Sequence, residues 1–277
     1  MLPIFYINLD KRIDRNLHIT HELERLQLSA QRLAAVDGKR LTKTDKEFVN
    51  EDSFILTMKR PIRNGEIGCA ASHRAIWKRM VDENIEFAMV LEDDIILDKK
   101  ILTFLHNPEF YERFDFINLS SNSPYKPKKQ FANRLLQNEN SIVRDRNHDK
   151  LWKVLDWRRN WKIYQLDKLS DDIIVCSCSL APALASGYML SHKAAERFLQ
   201  ASSNMHFPID YVWRYSNGFL KQGFLLEPLI IQSEEVGSDI NGRSESYKLS
   251  LRQKLQRILL KRKRNMRIEE VRQMYGF

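Results

Sequence analysis

Three acids stand side by side at Glu92, Asp93 and Asp94, directly after the apolar run Phe87 to Leu91. Adjacent carboxylates at the end of a buried strand repel one another and lose hydration, so their charge calls for a partner. A divalent cation meets that need, and oxygen-only donors favour Mg2+ or Mn2+ over Zn2+. Residues two apart in an extended chain face the same side. The spacing therefore predicts that Glu92 and Asp94 share the ion, with Asp93 turned away or reaching it through water. The competing reading is a solvated acidic turn, or a helix capped by Asp94.

Further polar residues collect at two places. Asn8, Asp10, Arg12 and Arg15 follow the first apolar stretch, where they could hold a nucleotide or its phosphates, the guanidinium fork being suited to phosphate. Surface cations and a helix cap are the alternative. Gly65, Glu66, Ser72 and His73 lie in Gly65-Glu66-Ile67-Gly68-Cys69 and the turn after it. The glycines allow close backbone approach to a ligand. His73 reads either as a nucleotide or metal contact or as a satisfied structural residue.

The elements that must carry these groups alternate between strand and helix. Pro3 to Asn8 reads as a strand, Ile13 to about Leu28 as a helix, and Ser29 to Asp37 as a strand and turn, with a variable loop to about Asn64. Ile67, Ala71, Ile76 and Met80 predict a helix over Glu66 to Asp82, which leads back into the strand Phe87 to Leu91. That unbroken apolar run is expected of a strand covered on both faces, and ligands of open α/β sheets bind beyond the carboxyl ends of such strands. A short helix is expected at Lys100 to Asn107 and another at Lys193 to Gln200. Strands are expected at Phe114 to Leu119, Ile173 to Cys178, Ala185 to Leu190 and Phe224 to Ile231. Residues 120–168 read as an insertion, in which Trp152, Trp157 and Trp161 would stack on a ligand or pack a helix.

The 277 residues are 43% hydrophobic, enough for a buried core, and are read as one catalytic domain over 1–250 and a tail over 251–277. Collagen-like, coiled-coil and disordered classes are excluded. No apolar run approaches the roughly 20 residues of a membrane span. Met1 to Leu9 runs into the charged Asp10 to Arg15 without a signal core, so a cytoplasmic location is expected. Cys69, Cys176 and Cys178 make no disulfide framework and are expected to be reduced and packed. The net charge of +9 is concentrated in the tail, where nine Lys or Arg face only Glu269 and Glu270. With Leu251, Leu255, Ile258 and Leu259 at helical spacing, this predicts a basic amphipathic helix on an anionic membrane, or a merely solvated one. The body lacks aromatics interleaved with basic residues, so no nucleic acid partner is expected.

Four blocks together resemble glycosyltransferase family 25, the bacterial lipooligosaccharide sugar transferases with relatives among collagen-modifying enzymes. They are Ile4 to Arg12 with Asp14-Arg15; Gly65 to Cys69 with Ser72-His73 and Trp77; Val90 to Asp94; and Ser186-Gly187-Tyr188-Met189-Leu190-Ser191 with Ala194-Ala195, Pro208-Ile209-Asp210 and the closing Ser238-Asp239-Ile240. The resemblance spans about Met1 to Ile240, in the family's order. It implies a GT-A type nucleotide-binding fold, α/β with a mixed central sheet flanked by helices, and inverting transfer from a UDP-sugar. It also implies a cation at Asp94 with Asp93 or Glu92, and Gly187 beside the nucleotide. Inversion needs a base for the acceptor hydroxyl; Asp210 is the first choice and Asp239 the second, either as base or as a further metal ligand. Asp210 as a helix cap is the alternative.

The expectation is a metal-dependent transferase moving galactose, from UDP-galactose and in a β-1,4 linkage, onto lipooligosaccharide at the cytoplasmic face of the inner membrane. The alternative is a non-catalytic nucleotide-sugar or membrane-binding module. A two-metal phosphoesterase is a minor third reading, since His106 alone lies close in sequence. Oligomeric state is left open.

Overall fold

The computed structural model describes residues 2–127, 161–233 and 247–276. Strand β1 (Ile4–Asn8) leads into α1 (Ile13–Arg25), and β2 (Gln31–Ala34) returns parallel to β1. After α2 (Glu51–Met58), the long helix α3 (Asn64–Asp82) delivers the chain to β3 (Phe87–Glu92), parallel to β1 on its other side. β4 (Ile95–Leu97), α4 (Ile101–Leu105), α5 (Pro108–Tyr111) and β5 (Phe116–Asn118) follow. Then come β6 (Ile163–Ser170), β7 (Ile173–Cys178), β8 (Gly187–Ser191), α6 (His192–Ala201), β9 (Gln222–Leu225) and β10 (Ile230–Gln232). The C-terminal pair is α7 (Leu251–Leu260) and α8 (Arg262–Met274).

Eight strands form one sheet in the order β2-β1-β3-β8-β5-β9-β7-β6, while β4 and β10 pair antiparallel in a second, small sheet. The large sheet is mixed, because β8 runs antiparallel to both of its neighbours, β3 and β5. The carboxyl ends of β1, β3 and β5 therefore meet the amino end of β8 along one edge. This is an α/β fold, as the alternation of elements predicts, with the mixed sheet flanked by helices that the resemblance implies.

Strand parity divides the core in two. Phe5, Ile7, Ala88 and Val90 pack with Trp77 and Met80 of α3 and Phe198 of α6. Ile4, Tyr6, Met89 and Leu91 pack on the other face with Ile19 and Leu23 of α1 and Phe104 of α4. With both faces covered, Ala88 to Leu91 are buried and Phe87 partly so, which explains the unbroken apolar run.

Several boundaries differ from the sequence reading. The variable loop contains α2, started by the Asn50 side chain accepting the Ser53 N–H. The region read as one strand, Phe224 to Ile231, is two strands in two sheets, β9 and β10. The end of the expected insertion is the start of β6.

The tail is two helices with different environments. In α8, Arg267 is fully buried and donates to the Leu220 carbonyl, Glu270 accepts the Gly218 N–H at 3.1 Å, and Tyr275, just past its end, stacks on Tyr164 at 5.2 Å. In α7, which lies against α2, Leu251, Leu255, Ile258 and Leu259 are 61 to 77% exposed. Among the described residues, no helix is long and apolar enough to cross a membrane.

Candidate active site

Parity also decides where the polar groups at the sheet edge point. Asn8, in step with Ile4 and Tyr6, projects toward α1, whereas Glu92, in step with Ala88 and Val90, projects toward α3. Had β3 continued, Asp94 would have joined Glu92. The strand ends at Glu92 and the chain turns through Asp93 and Asp94, carrying both to the α1 side. The hydrogen bonds thus place Asp93 and Asp94 in one group and Glu92 in another, although the Glu92 charge still acts on Asp94.

In the first group, Asn8 Nδ2 donates to Asp93 Oδ2 at 2.7 Å and Arg15 Nη1 donates to Asp93 Oδ1 at 3.0 Å. The same Nη1 lies 3.4 Å from Asp94 Oδ2, which also accepts from Gln232 Nε2 at 3.1 Å. The Ser233 N–H closes the loop on the Asp94 carbonyl at 2.7 Å. Arg32 Nε donates to Asn8 Oδ1 at 3.0 Å, orienting its amide, and Arg32 pairs at 2.7 Å with Asp10 on the rim. Burial raises the pKa of Asp93 against the pull of Asn8 and Arg15. Burial, then the charge of Glu92, pushes Asp94 up to about 6. Asp94 Oδ1 is buried and has no hydrogen-bond partner among the described residues. An ionised, desolvated carboxylate with an orphaned oxygen fits a hard cation ligand.

In the second group, Ser186 Oγ donates to Glu92 Oε2 at 3.1 Å, while His73 Nε2 lies 3.5 Å and Cys69 Sγ 3.9 Å from Glu92 Oε1. His73 Nδ1 is 2.8 Å from the Tyr188 hydroxyl, which accepts from Trp77 Nε1 at 3.0 Å. Indole N–H can only donate, which leaves the Tyr188 O–H able to donate to His73 Nδ1; a neutral His73 that accepts there carries its proton on Nε2, facing Glu92. Burial would raise the Glu92 pKa, but His73 and Ser186 outweigh it and hold Glu92 below the ordinary carboxylate value. Cys69, His73 and Glu92 offer ligand atoms within 4.8 Å of one another, a sulfur, nitrogen and oxygen set that suits Zn2+ better than Mn2+.

The structure gives the other expected contacts partners within the protein. Glu66 takes Arg60 on both oxygens at 2.7 Å and caps α3 through the Arg63 N–H. Ser72 Oγ accepts the Val36 N–H at 2.9 Å and donates to the Gly68 carbonyl. A Cβ on Gly38 would lie 2.7 Å from the Gly65 nitrogen, so the Asp37-Gly38 turn rests on the first turn of α3. Gly187 faces the Ile230 side chain, which lies where a Cβ on that residue would project. Arg12 pairs with Asp14 at 2.7 Å. Asp210 opens the 3-10 turn Ile209–Arg214, where its Oδ2 accepts the Leu184 N–H at 3.2 Å. Leu184 lies two residues before Ser186, the partner of Glu92, so about 7 Å of backbone joins the two carboxylates' anchors. Trp161 packs against Tyr125 and Arg214. Asp239, Trp152 and Trp157 lie outside the described residues.

The sequence profile of glycosyltransferase family 25 (LPS biosynthesis protein) matches residues 1–213. The chain belongs to glycosyltransferase family 25. Procollagen galactosyltransferase 2 of Homo sapiens is 32% identical over 115 residues, which is 38% of this chain and 18% of the human protein. A glycosyltransferase 25 family member of Anopheles gambiae is 40% identical over 98 residues, 33% of this chain and 16% of the mosquito protein. The chain thus spans under a fifth of the length of these relatives. Family membership accords with the helix-flanked mixed sheet, which is consistent with a GT-A-like transferase architecture.

Within this family 25 chain, Cys69, Ser186, Tyr188, Arg32 and Gln232 complete the site without having been singled out as site residues. Ser186 and Tyr188 flank Gly187 in a recognisable block, and Cys69 lies one turn before His73. Nothing local marks Gln232 or Arg32, which reach the site from β10 and β2.

Proposed function

We propose that this family 25 member is an inverting galactosyltransferase that takes galactose from UDP-galactose and uses a divalent cation held by Asp93 and Asp94. The observation that carries the reading is the orphaned, buried Asp94 Oδ1 beside Asp93 at the carboxyl edge of the sheet. When bound, the cation supplies charge neutralisation at the donor diphosphate. Asn8 and Arg15 hold Asp93 in place, and Gln232 with the Ser233 N–H holds Asp94, so both carboxylates are oriented before any ligand arrives. Asp210 is the proposed acceptor of the proton from the attacking hydroxyl, anchored by the Leu184 N–H. Glu92 is held ionised by His73 and Ser186 and contributes negative potential between the two. The galactose is supported by the names of the relatives, and the acceptor is proposed to be a lipooligosaccharide sugar.

The exposed apolar residues of α7, set among Arg252, Lys254 and Arg257, support peripheral binding to the cytoplasmic face of an anionic membrane. The deciding experiment incubates the protein with each common UDP-sugar and Mn2+ and follows UDP release. Release from UDP-galactose that is abolished by EDTA and by Asp94→Asn is the expected result. Equal release in EDTA would remove the cation from the proposal, and silence with every donor would favour a non-catalytic module.

A further inference from the structure

Away from the acidic edge, positive charge gathers with little to neutralise it. A cavity of about 310 Å³ opens between α2, the 3-10 turn Ile209–Arg214 and the tail, and its wall carries Tyr211, Arg214, Tyr215, Arg257, Lys261 and Arg264. Arg214 is 8% exposed, with Nε on the Ala181 carbonyl at 2.9 Å and its guanidinium over the Tyr211 ring at 4.3 Å. Arg257 reaches the Thr57 carbonyl at 3.3 Å through Nη2, yet its buried Nε and that of Arg264 have no hydrogen-bond partner among the described residues. Among those residues, no ion pair joins Arg257, Lys261 or Arg264 to a carboxylate. Burial, then Arg257, Arg264 and Lys59, lower the Lys261 pKa. Asp210 acts on Arg214 from the other side of the turn.

Like charges held around a cavity are unfavourable unless an anion joins them. Guanidinium forks, an ammonium and two phenol groups around a space of this size match a tetrahedral phosphoryl group better than a carboxylate, which one fork would satisfy. The pocket is built largely from residues after 213, beyond the family match, so it is a feature added to the transferase body. It backs onto the turn that carries Asp210 and adjoins the exposed apolar stripe of α7.

We propose that this pocket is a second ligand site that binds a phosphoryl group, presented by a membrane headgroup or by a soluble phosphate ester. The site is independent of the cation reading of Asp93 and Asp94.

The test is thermal unfolding of the full chain against inorganic phosphate, with chloride holding ionic strength constant. A saturable rise of roughly 5 °C is expected, absent from Arg257→Gln/Lys261→Gln and retained by Asp94→Asn. Because the double substitution removes repulsion, it should be at least as stable as the wild type without phosphate, so that loss of the response is not loss of the fold. An equal rise in chloride alone, or a full response in the double variant, overturns the site. Sedimentation with vesicles of phosphatidic acid or phosphatidylserine at equal surface charge, beside a glycerol phosphate titration, distinguishes the sources. Preference for phosphatidic acid that the double variant loses assigns the headgroup; no such preference, with a glycerol phosphate shift, assigns a soluble ester.

Discussion

A single guanidinium nitrogen, Arg15 Nη1, sits 3.0 Å from Asp93 Oδ1 and 3.4 Å from Asp94 Oδ2. All three side chains are nearly buried, so this cation is the positive charge that lets two neighbouring acids remain inside the protein. Replacing it with an apolar residue leaves two uncompensated buried charges. Arg15→Met should therefore lose about 3 to 5 kcal/mol of stability at pH 7 in EDTA, and Mn2+ should restore part of it. Urea unfolding with and without the ion checks this; an unfolding midpoint equal to the wild type's would mean that Arg15 does not hold the acids.

Asp94 makes a pH prediction with a definite sign. Its pKa rises from 3.8 in the unfolded chain to about 6 in the fold, so the folded state keeps a proton that the unfolded chain has already released. Protonated Asp94 favours the fold below about pH 4, and that advantage disappears as pH rises through 6. Over this window the site costs up to about 3 kcal/mol in the absence of a cation. Asp94→Asn should then be more stable than the wild type at pH 7 and nearly equal to it at pH 4, while losing the cation response. Equal stability of the two at pH 7 would show that the carboxylate is not strained.

How far the sequence reveals this site depends on the range of the contacts involved. The acids, the apolar run and the pattern of α3 are local, so the sequence places the acids at the end of a covered strand, which is where the structure has them. The grouping of the acids is not legible, because one residue of turn after Glu92 reverses the parity that an extended chain would keep. Arg60, the partner of Glu66, lies in a loop with no pattern of its own, and Ile230, which packs on Gly187, comes from another sheet, so neither contact shows in the sequence. Long-range antiparallel insertion of β8 between β3 and β5 leaves no trace in periodicity, yet it brings Ser186 to Glu92.

Tyr188 tests the chain of contacts behind Glu92. Its hydroxyl is buried between Trp77 Nε1 and His73 Nδ1, so Tyr188→Phe strands both partners. A loss of about 2 to 4 kcal/mol is expected from two unsatisfied buried groups. Tyr188 is a positioning residue. If it acts through His73 and Glu92, and the cation is held by Asp93 and Asp94 as proposed, turnover should fall while cation affinity stays unchanged. A parallel fall in both would place Glu92 in the cation site after all.

Two glycines differ in what opposes a side chain. A Cβ on Gly68 would run into the backbone carbonyl of Val36, whereas one on Gly187 would meet only the Ile230 side chain, with Cγ2 at 2.9 Å. Gly187→Ala should cost about 1 to 3 kcal/mol and be largely rescued by Ile230→Ala, but no side-chain truncation should rescue Gly68→Ala. A double-mutant cycle at 187 and 230 with no coupling would contradict the packing role of Gly187.

The proposed membrane contact of the tail can be separated from folding. Leu255, Ile258 and Leu259 are 61%, 63% and 71% exposed, so replacing all three with Gln removes apolar surface that the body does not use. Such a variant should unfold like the wild type, within about 1 kcal/mol, and should lose most of its binding to anionic vesicles. Deleting residues 251–277 is a different perturbation, because it takes away Arg267 and the Glu270 carboxylate that accepts the Gly218 N–H, and with them a wall of the cationic cavity. The deletion should lower stability as well as vesicle binding. If the triple variant sediments with anionic vesicles as well as the wild type does, the apolar face of α7 is not the membrane contact, and the retained binding would have to come from the basic residues alone.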